Sequence, residues 1–278
     1  MNGYRLVRGW CVALLWSVIV AGVLVQAQTT VTQKPFQPQV GQEGKDVVWV
    51  PTPQALVDKM LDLAKVTAQD YVMDLGSGDG RTVITAAKRG ARAVGIEYNP
   101  DMVELSKQNA EKAGVGSRAT FIKADLFETD LSRASVITMF LLPSINMKLR
   151  PKILDLRPGT RIVSNSFDME DWTPDQTAEV AENCESWCRA MLWIVPAKVD
   201  GAWHLPAGQL AITQTFQMIS GTLTSNGSSM PISGKLTGNR ITFTAGTTQY
   251  DGRVSGDSME GTITGANGGG WKATRAAQ

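Results

Sequence analysis

Two rhythms of apolar and polar positions run along this chain. In the first, Tyr71-Val72-Met73-Asp74-Leu75 is a short apolar run carrying an acid near its end, and Gly76-Ser77-Gly78-Asp79-Gly80 is a glycine-rich turn. Residues 82–89 then have helical spacing and stop at Gly90. Strand, tight loop and helix make the first half of a nucleotide-binding βαβ unit. Around it the pattern predicts a helix over 53–65, with Thr52 as N-cap and Pro53 in its first turn. A second strand, 93–97, ends in Glu97, and a helix follows from Asn99-Pro100 to about Lys112, stopped by Gly114. Residues 119–123 form strand three. Residues 134–142 are a near-continuous apolar run, as a strand buried on both faces should be, and Pro143 stops it. A helix over 144–156 and a fifth strand over 160–165 follow, then a pair of strands over 178–183 and 189–195.

From about Leu205 the rhythm changes. Charges thin out, Gly, Thr and Ser rise, and short alternating segments recur at 210–218, 219–224, 231–236, 240–244, 250–254, 259–264 and 271–274. Asn226-Gly227, Gly238-Asn239 and Asn267-Gly268 separate them as turns. This predicts an antiparallel β meander or small barrel of about seventy residues.

The N-terminus has a third character. Arg5 and Arg8 precede an apolar run over 10–25, broken only by Ser17 and Gly22, and Val25-Gln26-Ala27 has the form of a cleavage site. This is the pattern of a bacterial secretory signal peptide. The run falls short of the roughly twenty residues needed to span a bilayer. An uncleaved anchor, with membrane association through this segment, is the alternative. Cys11 lies too early in the run to be a lipoprotein cysteine. The organisation expected is a signal peptide over 1–27, a Pro- and Gly-bearing polar linker over 28–46, an α/β domain over 47–204 and a β domain over 205–278, in an exported protein.

Which nucleotide the loop takes follows from charge. A dinucleotide fingerprint would place a third glycine or alanine where Arg81 stands. Asp74 and Asp79 flank the turn and would repel a pyrophosphate. They suit a cation, and S-adenosylmethionine carries a sulfonium and an amino group with no phosphate. Glu97, about twenty residues on, is placed to accept from both ribose hydroxyls.

Asp74-Leu75-Gly76-Ser77-Gly78-Asp79-Gly80, Gly95-Ile96-Glu97-Tyr98-Asn99-Pro100 and Lys123-Ala124-Asp125-Leu126 together resemble the class I S-adenosylmethionine-dependent methyltransferases. Val50-Pro51-Thr52-Pro53, Phe140-Leu141-Leu142-Pro143 and Trp172-Thr173-Pro174-Asp175 make the chain similar to small protein-lysine methyltransferases of the mitochondrial inner membrane, which act on the ATP synthase c subunit and the adenine nucleotide translocator. The resemblance covers about residues 47–200. It implies a Rossmann-like sheet with antiparallel strands six and seven, S-adenosylmethionine as cofactor, and a lysine of a protein substrate as acceptor. Its implied cofactor-binding residues are Asp74, Gly76, Ser77, Gly78, Asp79, Gly80, Glu97, Asn99, Asp125 and Leu126. Asp125 would accept from the adenine amine, and Leu126 would offer a backbone donor. The Val-Pro-Thr-Pro turn would help cover the methyl-donor pocket. Phe140 and Pro143, at the end of strand four, are the candidates for the acceptor-channel wall. No general base is required: orientation, and burial that keeps the lysine neutral, would supply the catalysis.

Composition adds exclusions. A formal net charge of +1 gives no general pull toward nucleic acid. Three cysteines and one histidine, none at metal-ligand spacing, argue against zinc. Cys184 and Cys188 flank the turn between strands six and seven, and their spacing allows either a disulfide of modest effect or two free thiols. His204 reads as structural. The alternative to an enzyme is an exported scaffold whose β domain carries an interaction. It is kept open by the leader, since the methyl donor is made in the cytosol.

Overall fold

The computed structural model describes residues 1–3, 36–206, 208–265 and 268–276. Residues 4–27 of the expected signal peptide, with Cys11, and residues 28–35 of the expected linker lie outside the described residues. Phe36–Gln278 form one compact unit. The first layer is a seven-stranded sheet, in the order β3-β2-β1-β4-β5-β7-β6. Its strands are β1 (Tyr71–Leu75), β2 (Arg92–Glu97), β3 (Ala119–Lys123), β4 (Val136–Met139), β5 (Arg161–Asn165), β6 (Gln176–Glu179) and β7 (Arg189–Ile194). The first five are parallel, and β7 runs antiparallel between β5 and β6 at one edge. Helices α1 (Gln54–Leu63), α2 (Arg81–Lys88), α3 (Pro100–Lys112) and α4 (Pro143–Leu154) cover the faces. β1 and β4 are buried along nearly their whole length, as parallel strands under helices are. The chain reverses its winding between β1 and β4, and at such a switch point open α/β sheets bind ligands beyond the C-terminal strand ends.

Local chemistry sets the boundaries. Asn99 caps α3, its Oδ1 accepting from the N–H groups of Asp101 and Met102, with Pro100 in the first turn. β4 is shorter than the apolar run that predicts it, because Phe140-Leu141-Leu142 leave the sheet and turn across its end. α4 starts at Pro143 itself, a position where its missing N–H costs nothing. β6 begins two residues before the expected 178. Asp175 fixes this register: its N–H donates to the Leu192 carbonyl at 2.7 Å and its carboxylate accepts from Ile194 N–H at 2.8 Å.

The second layer is a closed eight-stranded antiparallel barrel, ordered β10-β11-β12-β13-β14-β15-β8-β9. It comprises β8 (Gly201–Leu205), β9 (Gly208–Thr215), β10 (Met218–Ser225), β11 (Ser228–Thr237), β12 (Arg240–Ala245), β13 (Thr248–Ser255), β14 (Ser258–Thr264) and β15 (Gly269–Arg275). The strand unseen in the sequence, β8, completes closure by pairing with β15 at His204↔Thr274 and Trp203↔Arg275. It begins before the composition changes. His204 sits exposed in that pairing, while its neighbour Trp203 is fully buried. The interior holds Leu210, Leu236, Ile241 and a stack of Phe243 on Tyr250 at 4.6 Å, closed by Trp271 edge-on. Gly221 lies inward at φ +149, and a Cβ there would fall 1.9 Å from the Ala211 carbonyl oxygen.

The layers are fastened by polar contacts in an apolar seam. Trp172, fully buried, donates from Nε1 to Gln217 Oε1 at 2.9 Å, and Gln217 donates back to the Thr173 carbonyl at 2.8 Å. Ala197 N–H donates to the Gly238 carbonyl at 2.8 Å. Among the described residues no helix is long and apolar enough to cross a membrane, and no group of His, Cys, Asp or Glu is placed to hold a metal ion.

A cofactor cradle and an aromatic mouth at the switch point

A cavity of about 430 Å³ opens above the C-terminal ends of β1, β2 and β4. Its floor is the loop between β1 and α2. Gly76, Gly78 and Gly80 all take positive φ, which glycine alone adopts without strain. Two of them also admit a close neighbour. A Cβ at Gly78 would meet the Trp49 indole at 2.5 Å, and one at Gly80 would meet Phe121 at 2.7 Å. Ser106 Oγ and Asn109 Nδ2 on α3 donate to the carbonyls of Gly78 and Asp79, at 2.8 and 3.0 Å. The loop is therefore held from behind, and its open side faces the cavity.

Glu97 stands across from it. One carboxylate oxygen accepts from Gly78 N–H and the other from Asn99 N–H, both at 2.9 Å. Each oxygen keeps a second lone pair, so the acid is pre-set to accept from a vicinal diol. Ser77 lines the same cavity, but its buried Oγ lies against Gly95 of β2, where a Cβ would fall 2.4 Å from it, and it has no hydrogen-bond partner among the described residues.

Asp74 is the buried acid of the floor. Burial pushes its carboxyl up to about 7, against a donated hydrogen bond from Thr138 that pulls it down; the Glu97 and Asp79 charges raise it further. Thr138 Oγ1 donates to Asp74 Oδ1 at 2.6 Å. An acid so destabilised in its charged form gains from a neighbouring cation.

The structure redirects some expected site residues. Asp79 lines the cavity but spends its charge on Arg81, at 2.6 Å, and Arg81 in turn donates to the Thr52 carbonyl at 2.9 Å. The arginine that replaces a dinucleotide glycine thus clamps the loop to the start of α1. Gly80 lies beneath the loop and not on the cavity wall. Asn99 lines the wall, yet its side chain is committed to capping α3. Asp125 and Leu126 also line the cavity. There Asp125 accepts from Phe127 N–H at 2.8 Å and pairs with Lys45 Nζ at 2.5 Å; the Lys45 bond holds its carboxyl below the usual range.

Lys45 belongs to a segment expected to be linker. Gly41 and Gln42 instead pair with Trp49 through two backbone hydrogen bonds of 2.8 and 2.9 Å. The strap so formed lays Lys45, Trp49 and Val50-Pro51-Thr52 over the cavity. Val50, Pro51 and Thr52 of that turn line the cavity, and Pro53 stands at the N-cap of α1 in place of the expected Thr52.

At the other end, Phe140 lines the opening and Pro143 does not. Pro143 is exposed at the first turn of α4, and Leu141 and Leu142 occupy the wall in its place. Phe140 meets two aromatic residues absent from the sequence expectation. Phe167, after β5, and Trp187, in the β6–β7 turn, each lie 5.9 Å from it, ring centre to ring centre. Cys184 and Cys188 are joined in a disulfide. Thr138 had a readable signal, a polar residue in a strand buried on both faces. Trp187 had a weaker one, an aromatic residue between two cysteines. Phe167 and Lys45 had none.

These residues fit S-adenosylmethionine: a buried acid for its cationic end, a bifunctional acceptor for its ribose and a glycine floor. Comparison with known proteins agrees. A family model, the ANTKMT methyltransferase domain, matches residues 74–176. A protein-lysine N-methyltransferase of Saccharolobus islandicus is 46% identical over 139 residues, 49% of this chain and 86% of that protein. The lysine N-methyltransferase of Mus musculus named for the ATP synthase c subunit is 41% identical over 107 residues, 38% of this chain and 43% of that protein, so the match spans under half of that relative. A crystal structure of an RNA methyltransferase from Salinibacter ruber, in complex with S-adenosyl-L-homocysteine, is 47% identical, with 54% of this chain and 96% of that one covered at a TM-score of 0.51. On the glycine loop, its facing acids and these matches, the chain belongs to the S-adenosylmethionine-dependent protein-lysine methyltransferase family.

Proposed function

We propose that this protein methylates the side-chain nitrogen of a lysine on a protein substrate, as an exported enzyme. The observation that carries the reading is one cavity with two unlike ends. The acidic, glycine-floored end suits a cationic nucleoside, and the far end opens between Phe140, Phe167 and Trp187. Bound S-adenosylmethionine supplies an electrophilic methyl that needs no further activation. Asp74 would hold the cationic end, Glu97 the ribose, and Asp125 the adenine amine once released from Lys45. Gly76, Ser77 and Gly78 would form the floor, and Leu126 would lie against the base. Phe140 and Leu141 would steer a lysine chain in line with the methyl, and their apolar surface would favour its neutral amine. No side chain is assigned to proton abstraction.

The names of relatives point to two acceptor classes, protein lysine and RNA. Among the described residues lining the mouth, aromatic and aliphatic groups prevail, which suits an alkylamine better than a phosphate chain. The test is incubation of the full chain with methyl-labelled donor and, separately, ATP synthase c-subunit peptide and bulk RNA. Label recovered as N-methyl-lysine is expected; label confined to RNA would overturn the lysine assignment. Export is supported by the leader pattern of residues 1–27 and by the disulfide, which persists in oxidising compartments. N-terminal sequencing of the cell-fractionated protein should place it outside the cytosol with a start near Gln28. An intact N-terminus in the membrane fraction would instead mean an anchor.

A further inference from the structure

Phe140, Phe167 and Trp187 do none of the work that aromatic side chains usually do. None belongs to the sheet core or the barrel core. Trp187 is 44% exposed and presents its indole at the opening of the donor cavity. Its backbone is left-handed, at φ +54, a conformation bulky side chains rarely take. Something must hold it there. Two fastenings are present. The Cys184–Cys188 disulfide closes the loop immediately around Trp187. On the other side, Ser166 N–H donates to the Arg189 carbonyl at 2.8 Å, and Arg189 Nη2 donates back to the Ser166 carbonyl at 3.3 Å. Ser166 is also left-handed, at φ +57, and directly precedes Phe167. Both aromatic-bearing turns are thus pinned to one another at the ends of β5 and β7.

We infer that Trp187 is the outer wall of the acceptor channel, and that the Cys184–Cys188 disulfide is the device that positions it. This rests on the lysine reading above. The methylenes of an incoming lysine would pack along the indole and the two phenyl faces, as alkyl stems do on aromatic surface. Reduction by a dithiol breaks the S–S bond and leaves two cysteine thiols and a cyclic disulfide of the reductant. The three-residue link between the cysteines, which includes Trp187, then relaxes, and the left-handed turn loses one of its two restraints. Donor binding should be untouched, because the Gly76–Gly80 loop, Glu97 and Asp125 share no hydrogen bond or ion pair with this turn.

The test uses the full oxidised chain, with c-subunit peptide, or whichever acceptor the wild type labels. It measures acceptor KM, kcat and, by calorimetry, donor Kd. Trp187→Ala should raise acceptor KM roughly tenfold, with kcat and donor Kd within about threefold of wild type. Trp187→Phe should recover most of the loss. Dithiothreitol on the wild type should raise KM in the same direction, and should have no effect on the Cys184→Ser/Cys188→Ser double variant, whose KM is already raised. Unchanged KM in Trp187→Ala would overturn the inference. So would an equal loss of donor affinity, which would mark general damage, or a dithiothreitol effect surviving in the double variant. Failure of the lysine reading looks different: active wild type with no label on lysine.

Discussion

Asp74 makes the donor site sensitive to pH, and the size of the effect follows from its surroundings. Every charged or donating group that bears on it has a clear sign. Burial raises its pKa, and so do Glu97 from β2 and Asp79 from the loop; Thr138 from β4 and Thr82 from α2 lower it by donating hydrogen bonds; the net result is about 7. The ionised fraction therefore climbs from about one tenth at pH 6 to about nine tenths at pH 8. A cationic donor binds the ionised form, so its affinity should rise about tenfold across that interval and level off above it. Calorimetry in two buffers of different ionisation enthalpy should find nearly one proton released per donor at pH 6 and almost none at pH 8. In Asp74→Asn the remaining pH dependence belongs to the ligand and can be subtracted. Thr138→Val removes a bond that stabilises the charge, so its midpoint should move upward. The unliganded protein should show the opposite slope in its stability. Its folded pKa lies above the ordinary 3.8, so the folded state holds a proton that the unfolded chain has lost. Its stability should fall as pH rises from about 4 to about 7. Flat donor affinity with no proton release would refute both the burial of this acid and the placing of the cation beside it.

Glu97→Ala removes the acceptor of two backbone N–H groups and of the ribose; at about 1.5–3 kcal/mol for each bond to a charged group, calorimetric donor affinity should fall about a hundredfold or more, and an unchanged value would reject the pose. Lys45→Ala frees the Asp125 carboxylate from an exposed ion pair; donor affinity should tighten no more than a few-fold, whereas weaker binding would show that Lys45 holds the strap down. Gln217→Leu leaves Trp172 Nε1 and the Thr173 carbonyl unpaired in the seam, which should lower stability to urea by about 2–3 kcal/mol while donor Kd stays constant. Gly221→Ala drives a methyl into the Ala211 carbonyl and forces a left-handed alanine, so the barrel should open or the chain fail to fold, read as loss of near-ultraviolet dichroism.

The cofactor half of this protein was legible because backbone requirements dictate residues there. A loop with three positive φ angles needs glycine, a helix entered at Pro100 needs a cap such as Asn99, and a strand buried on both faces reads as one apolar run. The acceptor half was not, because packing across the sheet places it. Phe167 and Trp187 come from turns after different strands, and the β4–β5 and β5–β7 pairings bring them to Phe140. Pro143 misled for the opposite reason. It marks the end of a strand in sequence, but its fixed φ serves the first turn of α4 and points it away from the cavity. The 28–46 stretch read as a linker from its polarity, and Lys45 is polar because it meets a carboxylate. β8 was hidden by length: five residues with one buried tryptophan give too short an alternation to stand out, and closure with β15 supplies the stability that the segment lacks alone.

Trp172-Thr173-Pro174-Asp175 shows why a motif can carry a resemblance and still do local work. In this chain Trp172 lies between Trp193 on the sheet, at 6.3 Å, and Phe216 on the barrel, at 5.7 Å. Asp175, raised by burial, still accepts from Ile194 N–H and sits 3.9 Å from Lys235 of β11. The motif is therefore the hinge plate on which the barrel is mounted. β7 runs from that plate to Arg189, beside the disulfide turn, a span of about 20 Å for six residues. It does not act as a lever between them, because β5 pairs it residue by residue from Asn165↔Ala190 to Arg161↔Ile194. A disturbance at the barrel seam must break that ladder before it reaches Trp187. The mouth consequently depends on its own two fastenings, the disulfide and the Ser166–Arg189 pair, and the barrel stabilises the sheet edge without setting the geometry at which the methyl is transferred.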